Sequence, residues 1–145
     1  MKPLVNKKGL FNYEILESFE AGMKLAGTEV KSLRSSRVSF EGSYVGFRSG
    51  EAFLLNLTIP PYQPANRPSG YEQMRPRKLL LSRKEIAYLL GKAQEKGLTI
   101  LPLKVYTARG TLKLQIGVAR RKKKFDKREA LKKRATQRDI ERELK

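Results

Sequence analysis

The sequence contains no cysteine, histidine or tryptophan among its 145 residues. Without cysteine, the chain has neither a disulfide framework nor a thiolate metal site. Without histidine, it lacks the side chain that most often acts as general acid or base near neutral pH and as a metal ligand. These absences argue against an enzyme or a metalloprotein, and we expect no cofactor and no metal.

Long apolar runs are also missing. No stretch approaches the roughly 18 consecutive apolar residues that cross a bilayer, and the first residues show no apolar signal-peptide segment. We therefore expect a cytoplasmic, monomeric protein that has no membrane partner.

Positive charge is abundant. Lys and Arg number 32 against 14 Asp and Glu, which gives a formal net charge of +18. Such a surplus repels itself in the folded state unless a polyanion relieves it, and nucleic acid is the expected polyanion. An anionic membrane surface is the alternative. The basic residues form three clusters, namely Lys31 with Arg34 and Arg37, Arg75 with Arg77 and Lys78, and Arg120 through Lys124; Phe11, Tyr62, Tyr71 and Tyr106 are candidates for base stacking.

Hydrophobic periodicity predicts a mainly β domain. Strands are expected over 11–19, 23–27, 44–48, 51–59 and 79–81, followed by a hairpin over 98–118, and helices over 29–36 and 83–96. Glu20 to Gly22 are predicted as a turn, Thr28 as the first helix cap, and Ser82 with Glu85 as a capping box. About six or seven antiparallel strands with two helices favour a small closed or partly open barrel.

Composition divides the chain into three parts. Residues 1–10 are expected to form a loose basic arm, 11–119 the barrel that binds RNA, and 120–145 a basic tail. The tail has thirteen Lys/Arg against five Asp/Glu, and its few large apolar residues cannot form a core. Glu129–Lys133 and Glu141–Lys145 are favourable i,i+4 pairs. We predict a tail that is disordered alone and helical against a polyanion.

Several short sequence motifs occur in the same order as in the SsrA-binding protein family, also called small protein B, which this sequence resembles. They are Asn6-Lys7, Tyr13, Phe19-Glu20-Ala21-Gly22, the run Gly27 to Arg34, Gly42-Ser43-Tyr44, Arg77 to Leu81, Gly91-Lys92, Gly97-Leu98-Thr99, Ile116 to Ala119 and Asp126-Lys127-Arg128. They span essentially the whole chain, so the series is specific although each motif alone is weak.

The resemblance implies an oligonucleotide-binding-type barrel with two to three helices. It also implies a function in bacterial trans-translation, or ribosome rescue. The body would bind the tRNA-like domain of transfer-messenger RNA (SsrA) and deliver it to stalled ribosomes. The tail would sense the vacant mRNA channel near the decoding centre of the small ribosomal subunit.

The resemblance also assigns site residues. The RNA-contacting positions of the family fall on Glu20, Leu80, Ser82 and Lys113, to which the charge pattern adds Lys31, Arg34, Arg77, Lys78 and Arg120. The tail positions are Lys122, Lys123, Phe125, Asp126, Lys127, Arg128, Lys132 and Arg134. The alternatives are turn geometry for Glu20, core packing for Leu80, helix capping for Ser82 and a solvated strand face for Lys113. Phe125 replaces a histidine common in relatives, which keeps a ring for stacking but removes a hydrogen-bond donor.

Two other functions stay open. A generic RNA-binding or ribosomal protein would use the same barrel but prefer single strands. An RNA-processing enzyme is the other alternative, although Glu14 and Glu17 fall on opposite faces of a strand and Gly42 to Gly46 lacks the Lys-Ser/Thr of a phosphate-binding loop.

Overall fold

Residues 1–62 and 70–123 are described by a computed structural model and contain seven strands and three helices. In chain order these are β1 (Leu4–Val5), α1 (Lys7–Asn12), β2 (Tyr13–Met23), α2 (Gly27–Arg34), β3 (Tyr44–Arg48), β4 (Glu51–Leu55), β5 (Arg77–Leu80), α3 (Arg83–Gln94), β6 (Leu98–Ala108) and β7 (Thr111–Arg121). The expected mainly β class is confirmed.

The strands form one antiparallel sheet in the order β1-β6-β7-β2-β5-β4-β3. The long β6–β7 hairpin turns at Arg109 and Gly110, which both have positive φ, as a two-residue hairpin turn requires. The sheet curls until β3 contacts β6, although these strands share no ladder. This closure agrees with the expected barrel.

Two apolar clusters lie on opposite faces of the sheet. The main core includes Leu33 of α2, Leu89 of α3 and inward-facing residues of β3 to β7. The smaller cluster contains Leu101, Leu103 and Ala119, with Tyr13 and Ile15 packed against it, and α1 contacts the same strands β2 and β6. On the outer face, this buried apolar cluster therefore covers the end next to α1.

A buried ion-pair network connects α2 to the start of β5 and the residues just before it. The side chains of Glu29 and Arg77 are both fully buried, and Arg77 Nη2 lies 2.7 Å from Glu29 Oε2. Arg77 also donates to the carbonyls of Leu57 and Gln73, and the partly exposed Arg75 pairs with the other Glu29 oxygen. A buried charge requires partners of this kind because its desolvation is costly.

The N-terminal residues are ordered, so the expectation of a loose arm at residues 1–10 is wrong. β1 pairs with β6, and Asn6 is buried with its Nδ2 donating to the Pro102 carbonyl at 2.8 Å. Its side-chain oxygen also caps α1, which contains Phe11, so the first long strand begins at Tyr13 rather than at residue 11. The boundary predicted at 119/120 falls inside β7, and the three-part division of the chain stays a prediction.

Further corrections concern local geometry. Glu20 to Gly22 are not a turn, because they continue β2 by pairing with β7. Ala26 rather than Thr28 caps α2, since the Glu29 carboxylate reaches back to the Ala26 N–H at 2.8 Å. The predicted alternation over 51–59 breaks at Asn56, whose φ of 61° ends the strand. Ala52 and Leu54 therefore face the core in place of Phe53 and Leu55.

Glu29→Gln is expected to destabilise the fold by about 3–5 kcal/mol, because Arg77 would lose its buried counterion. Burial alone would raise the pKa of the Glu29 carboxyl. The hydrogen bonds from Arg75, then from the Ala26 N–H and Arg77, outweigh burial and hold the pKa below its ordinary value of 4.5. A lowered folded-state pKa contributes stability above pH 4.5 that is lost as the pH falls through the folded-state pKa.

Urea unfolding measured from neutral pH down through pH 4.5 tests this expectation. The stability difference between wild type and Glu29→Gln should shrink as the pH falls below 4.5. Glu41→Gln is the matched control. The Glu41 carboxylate also pairs with a cation, the Lys8 ammonium at 3.7 Å, but both side chains are exposed and the pair contributes little to stability. Equal losses for the two variants at neutral pH would contradict the role assigned to Glu29.

Candidate nucleic-acid interface

The outer face of the sheet is open at the end away from α1. Tyr106 of β6 lies opposite Lys113 of β7, and Lys113 lies opposite Gly22 of β2. Gly22 in turn lies opposite Leu80 of β5. With strands about 4.8 Å apart, this row crosses four strands over roughly 14 Å. The row forms the centre of what we call the open face.

The next row of the open face carries Lys104, Gln115 and Glu20. The Glu20 carboxylate accepts a hydrogen bond from the Tyr106 hydroxyl; burial, the negative charge of Glu20 and this bond raise the pKa of Tyr106. Lys104 Nζ lies 5.4 Å from the centroid of the Tyr106 ring, a cation–π distance. The single carboxylate of this row is thus held among cationic and aromatic side chains.

Leu80 is the exposed apolar residue of the open face. Its side chain is 56% exposed, which rules out core packing, and it borders a groove that also contains Lys78 and Ser82. Ser82 caps α3 as predicted: its Oγ accepts from the Glu85 N–H at 3.2 Å, and Glu85 accepts from the Ser82 N–H at 3.0 Å. The Ser82 hydroxyl can still donate to a ligand.

The open face therefore brings together Glu20, Leu80, Ser82 and Lys113, the four residues that the resemblance selected. Lys78 lies on the same side of β5 as Leu80 and pairs with Glu51 at 3.1 Å. None of these five residues is fully buried. The turn and core alternatives for Glu20 and Leu80 are excluded by the strand geometry.

The other predicted basic residues are more scattered. Arg34 Nη2 donates to the carbonyl of Gly110 in the β6–β7 turn at 3.3 Å, close in sequence to Lys113. Lys31 Nζ lies 5.9 Å from the Tyr62 ring centroid. Arg120 pairs with Glu14 at 2.7 Å and lies seven residues along β7 from Lys113, roughly 23 Å away.

Arg77 does not reach the surface, so the expectation that it contacts RNA is corrected. Its side chain has no exposed area, and its guanidinium is engaged by Glu29 and by two backbone carbonyls. The alternation along β5 explains the difference, because Lys78 and Leu80 face outward whereas Arg77 and Leu79 face inward. Arg77 therefore stabilises the fold by joining α2 to the backbone around β5.

The tail residues proposed to contact the ribosome lie mostly outside the described part of the chain. Phe125, Asp126, Lys127, Arg128, Lys132 and Arg134 are all in this group. Lys122 is half-buried and its N–H donates to the Asn12 carbonyl at 2.9 Å, whereas Lys123 is exposed.

Sequence reasoning missed Gly22, Lys104 and Gln115 as members of the open face, and it considered Tyr106 only for stacking. The register of pairing between β6, β7 and β2 would have been needed to place these residues on one face. That pairing includes a register shift between Pro102 and Lys104, and such a bulge is invisible to a simple period-2 pattern.

Comparison with known proteins decides the family. The family model described as SmpB protein matches residues 4–145. The chain belongs to the SmpB family. Its relatives include the SsrA-binding protein of Acaryochloris marina, 50% identical over 97% of this chain and 91% of the relative. That of Thermosipho africanus is 51% identical over 97% and 94%.

A solved SmpB chain has a similar structure. It comes from work described as "tmRNA-SmpB: a journey to the center of the bacterial ribosome" and is 45% identical, with a TM-score of 0.71. The match covers 90% of this chain and 95% of the solved chain. Family membership confirms the resemblance found in the sequence, and the similarity of fold extends over nearly the whole SmpB chain.

No helix within residues 1–62 and 70–123 is long and apolar enough to cross a membrane. The same residues contain no group of three or more acidic side chains placed to hold a metal ion.

Gly22→Ala is expected to weaken RNA binding by roughly three- to tenfold. A Cβ at this position would lie 3.2 Å from Leu80 Cβ and 3.3 Å from Leu80 Cδ1, so the exposed leucine would have to move. Leu80 Cδ1 can rotate into solvent, whereas Leu80 Cβ moves only with the β5 backbone, so the cost in stability should be roughly 1 kcal/mol. Fluorescence anisotropy with transfer-messenger RNA and thermal melting measure the two effects.

Gly27→Ala is the matched control for this substitution. A Cβ at Gly27 meets no atom within 4 Å, and the position begins α2, where Ala is favourable. This variant should bind RNA as wild type does and should be as stable or more stable. Equal RNA affinity of the two variants would contradict a role for the Leu80 position.

Proposed function

We propose that this SmpB chain binds the tRNA-like domain of transfer-messenger RNA and delivers it to stalled ribosomes for trans-translation. The observation that carries this proposal is the convergence of Glu20, Leu80, Ser82 and Lys113 on one exposed sheet face. The relatives named SsrA-binding protein and the solved SmpB chain support the same function.

The chemistry of the open face suits a structured RNA. Lys113 supplies a charge for a phosphate, and Leu80 supplies an apolar surface against which a ribose or base packs. A carboxylate is unusual against RNA, but Glu20 can accept from a 2′-hydroxyl or a base amino group. Tyr106 and Lys104 lie beside Glu20 on the same face and could contact the same RNA group.

The tail is proposed to act separately from the open face. Its surplus of thirteen basic over five acidic residues suits a channel lined by phosphates, such as the vacant mRNA channel of the small ribosomal subunit. An occupied channel would exclude it. The tail would thus report that no codon is present while the body holds the RNA.

The proposal includes a cytoplasmic, monomeric protein that binds RNA without catalysing a reaction. A generic RNA-binding or ribosomal protein is the second candidate, favoured by the high net charge alone. The two differ in selectivity, because a charge-driven binder would take single-stranded RNA as readily as the tRNA-like domain.

Lys113→Gln is expected to weaken binding of the tRNA-like domain roughly tenfold, because it removes one charge-assisted contact. The slope of log affinity against log salt should fall in magnitude by about 0.7–0.9. Anisotropy titrations at several salt concentrations measure both quantities. Lys96→Gln, an exposed lysine between α3 and β6, is the matched control.

Equal effects of Lys113→Gln and Lys96→Gln would count against the open face as the RNA site. Equal affinity of the wild type for the tRNA-like domain and for a single strand of the same length would favour the generic RNA-binding protein instead.

A truncation that ends at Lys123 should bind the tRNA-like domain selectively but fail to support tagging on stalled ribosomes. The cut is placed there because β7 continues through Arg121 and the Lys122 N–H is bonded to Asn12. A reconstituted translation reaction on an mRNA without a stop codon measures tagging. Full tagging by the truncated chain would remove the proposed sensing role of the tail.

A further inference from the structure

A second groove continues the open face beyond Lys78. It is lined by Lys24, Leu25, Ala26, Phe53, Arg75, Pro76 and Lys78. The Lys24 N–H donates to the Lys78 carbonyl at 2.9 Å, and Phe53 pairs with Lys78 across β4 and β5. Lys78 also lines the groove that contains Leu80 and Ser82, so the two depressions lie side by side.

Arg75 occupies a fixed position in this groove. Its guanidinium pairs with the fully buried Glu29 carboxylate, yet its side chain is still 35% exposed. Since Glu29 is shared by Arg75 and Arg77, the network as a whole keeps one positive charge. A guanidinium has five N–H donors, and within the described residues Arg75 also makes a long bond of 3.4 Å to the Pro76 carbonyl.

The remaining walls also suit a nucleic-acid backbone. Lys24 is exposed and Lys78 half-exposed, and both line the groove together with Arg75. Phe53 is half-buried on the outer side of β4 and offers an apolar floor to a ribose. The only carboxylate that pairs with the lysines of this groove in the described residues is Glu51, which bonds Lys78 at 3.1 Å.

We propose that this groove binds a phosphodiester segment of the same structured RNA, with Arg75 and Lys24 as the phosphate ligands. The inference rests on the proposed function, which it extends to a second contact point. The groove lies about two strand spacings from β7, roughly 10 Å. At this separation one RNA backbone can reach Lys113 and the groove together.

Lys24→Gln tests the groove without disturbing the buried network. We expect severalfold weaker binding of the tRNA-like domain and a salt slope lower in magnitude by about 0.7–0.9. Arg75→Lys keeps the charge but removes the planar fork, so affinity should fall while the salt slope stays the same. Thermal melting of both variants confirms that the fold is retained, and Lys96→Gln is the charge-matched control.

A phosphate-ethylation interference map of the RNA gives a second readout. Ethylation of the phosphates that Lys24 contacts should block RNA binding by the wild type but not by Lys24→Gln. Ethylation of the phosphates that Lys113 contacts should block binding by both proteins.

If Lys24→Gln matches Lys96→Gln while Lys113→Gln weakens binding, the groove is not an RNA site and the proposed function stands. If Lys113→Gln is also without effect, the proposed function itself fails and the groove proposal fails with it. An equal loss for single-stranded RNA would reduce the groove to a general charge effect and overturn its proposed selectivity.

Discussion

The ion pairs of the buried Glu29 carboxylate are the interaction on which the packing of α2 against the sheet depends. A fully buried carboxylate is tolerated only with cationic and hydrogen-bonding partners. Here the partners are Arg77 at the start of β5, Arg75 just before it and the N–H of Ala26 at the cap of α2. The Arg77 guanidinium also donates to the carbonyls of Leu57 and Gln73, which ties the backbone after β4 and before β5 to the same ion pair. One charge therefore positions α2, the end of the β4 region and the start of β5. It also leaves Arg75 partly exposed at the surface.

A second constraint divides the outer face of the sheet. Bulges between Ile15 and Glu17 in β2, and between Pro102 and Lys104 in β6, shift the strand alternation at neighbouring places. On one side of the bulges the outer face carries the small apolar cluster next to α1. On the other side it carries polar and cationic side chains together with the exposed Leu80. The small apolar cluster of this face therefore ends at the bulges, and the open face begins beyond them.

Local signals were predictable where neighbours in sequence decide the structure. The Ser82–Glu85 capping box and the turn of the β6–β7 hairpin depend on residues a few positions apart, and the structure contains both. The corrected predictions depend on distant partners. Glu20 to Gly22 look like a turn but are held in β2 by β7, and Arg77 looks like a surface cation but is buried by Glu29, 48 residues away. Asn56 shows a third case, since one residue with positive φ shifted the inward-facing set of its strand.

The sequence by itself determined the charge, the mainly β pattern and membership of the SmpB family, because these properties follow from composition, from short-range periodicity and from motifs kept in order along the chain. Through the resemblance it also selected Glu20, Leu80, Ser82 and Lys113, one by one, as candidate RNA contacts. Only the tertiary structure decided that these four share one open face and that Arg77 lies beneath the surface. Strand register and burial are set by pairing between segments far apart in sequence, and a local pattern does not carry that information.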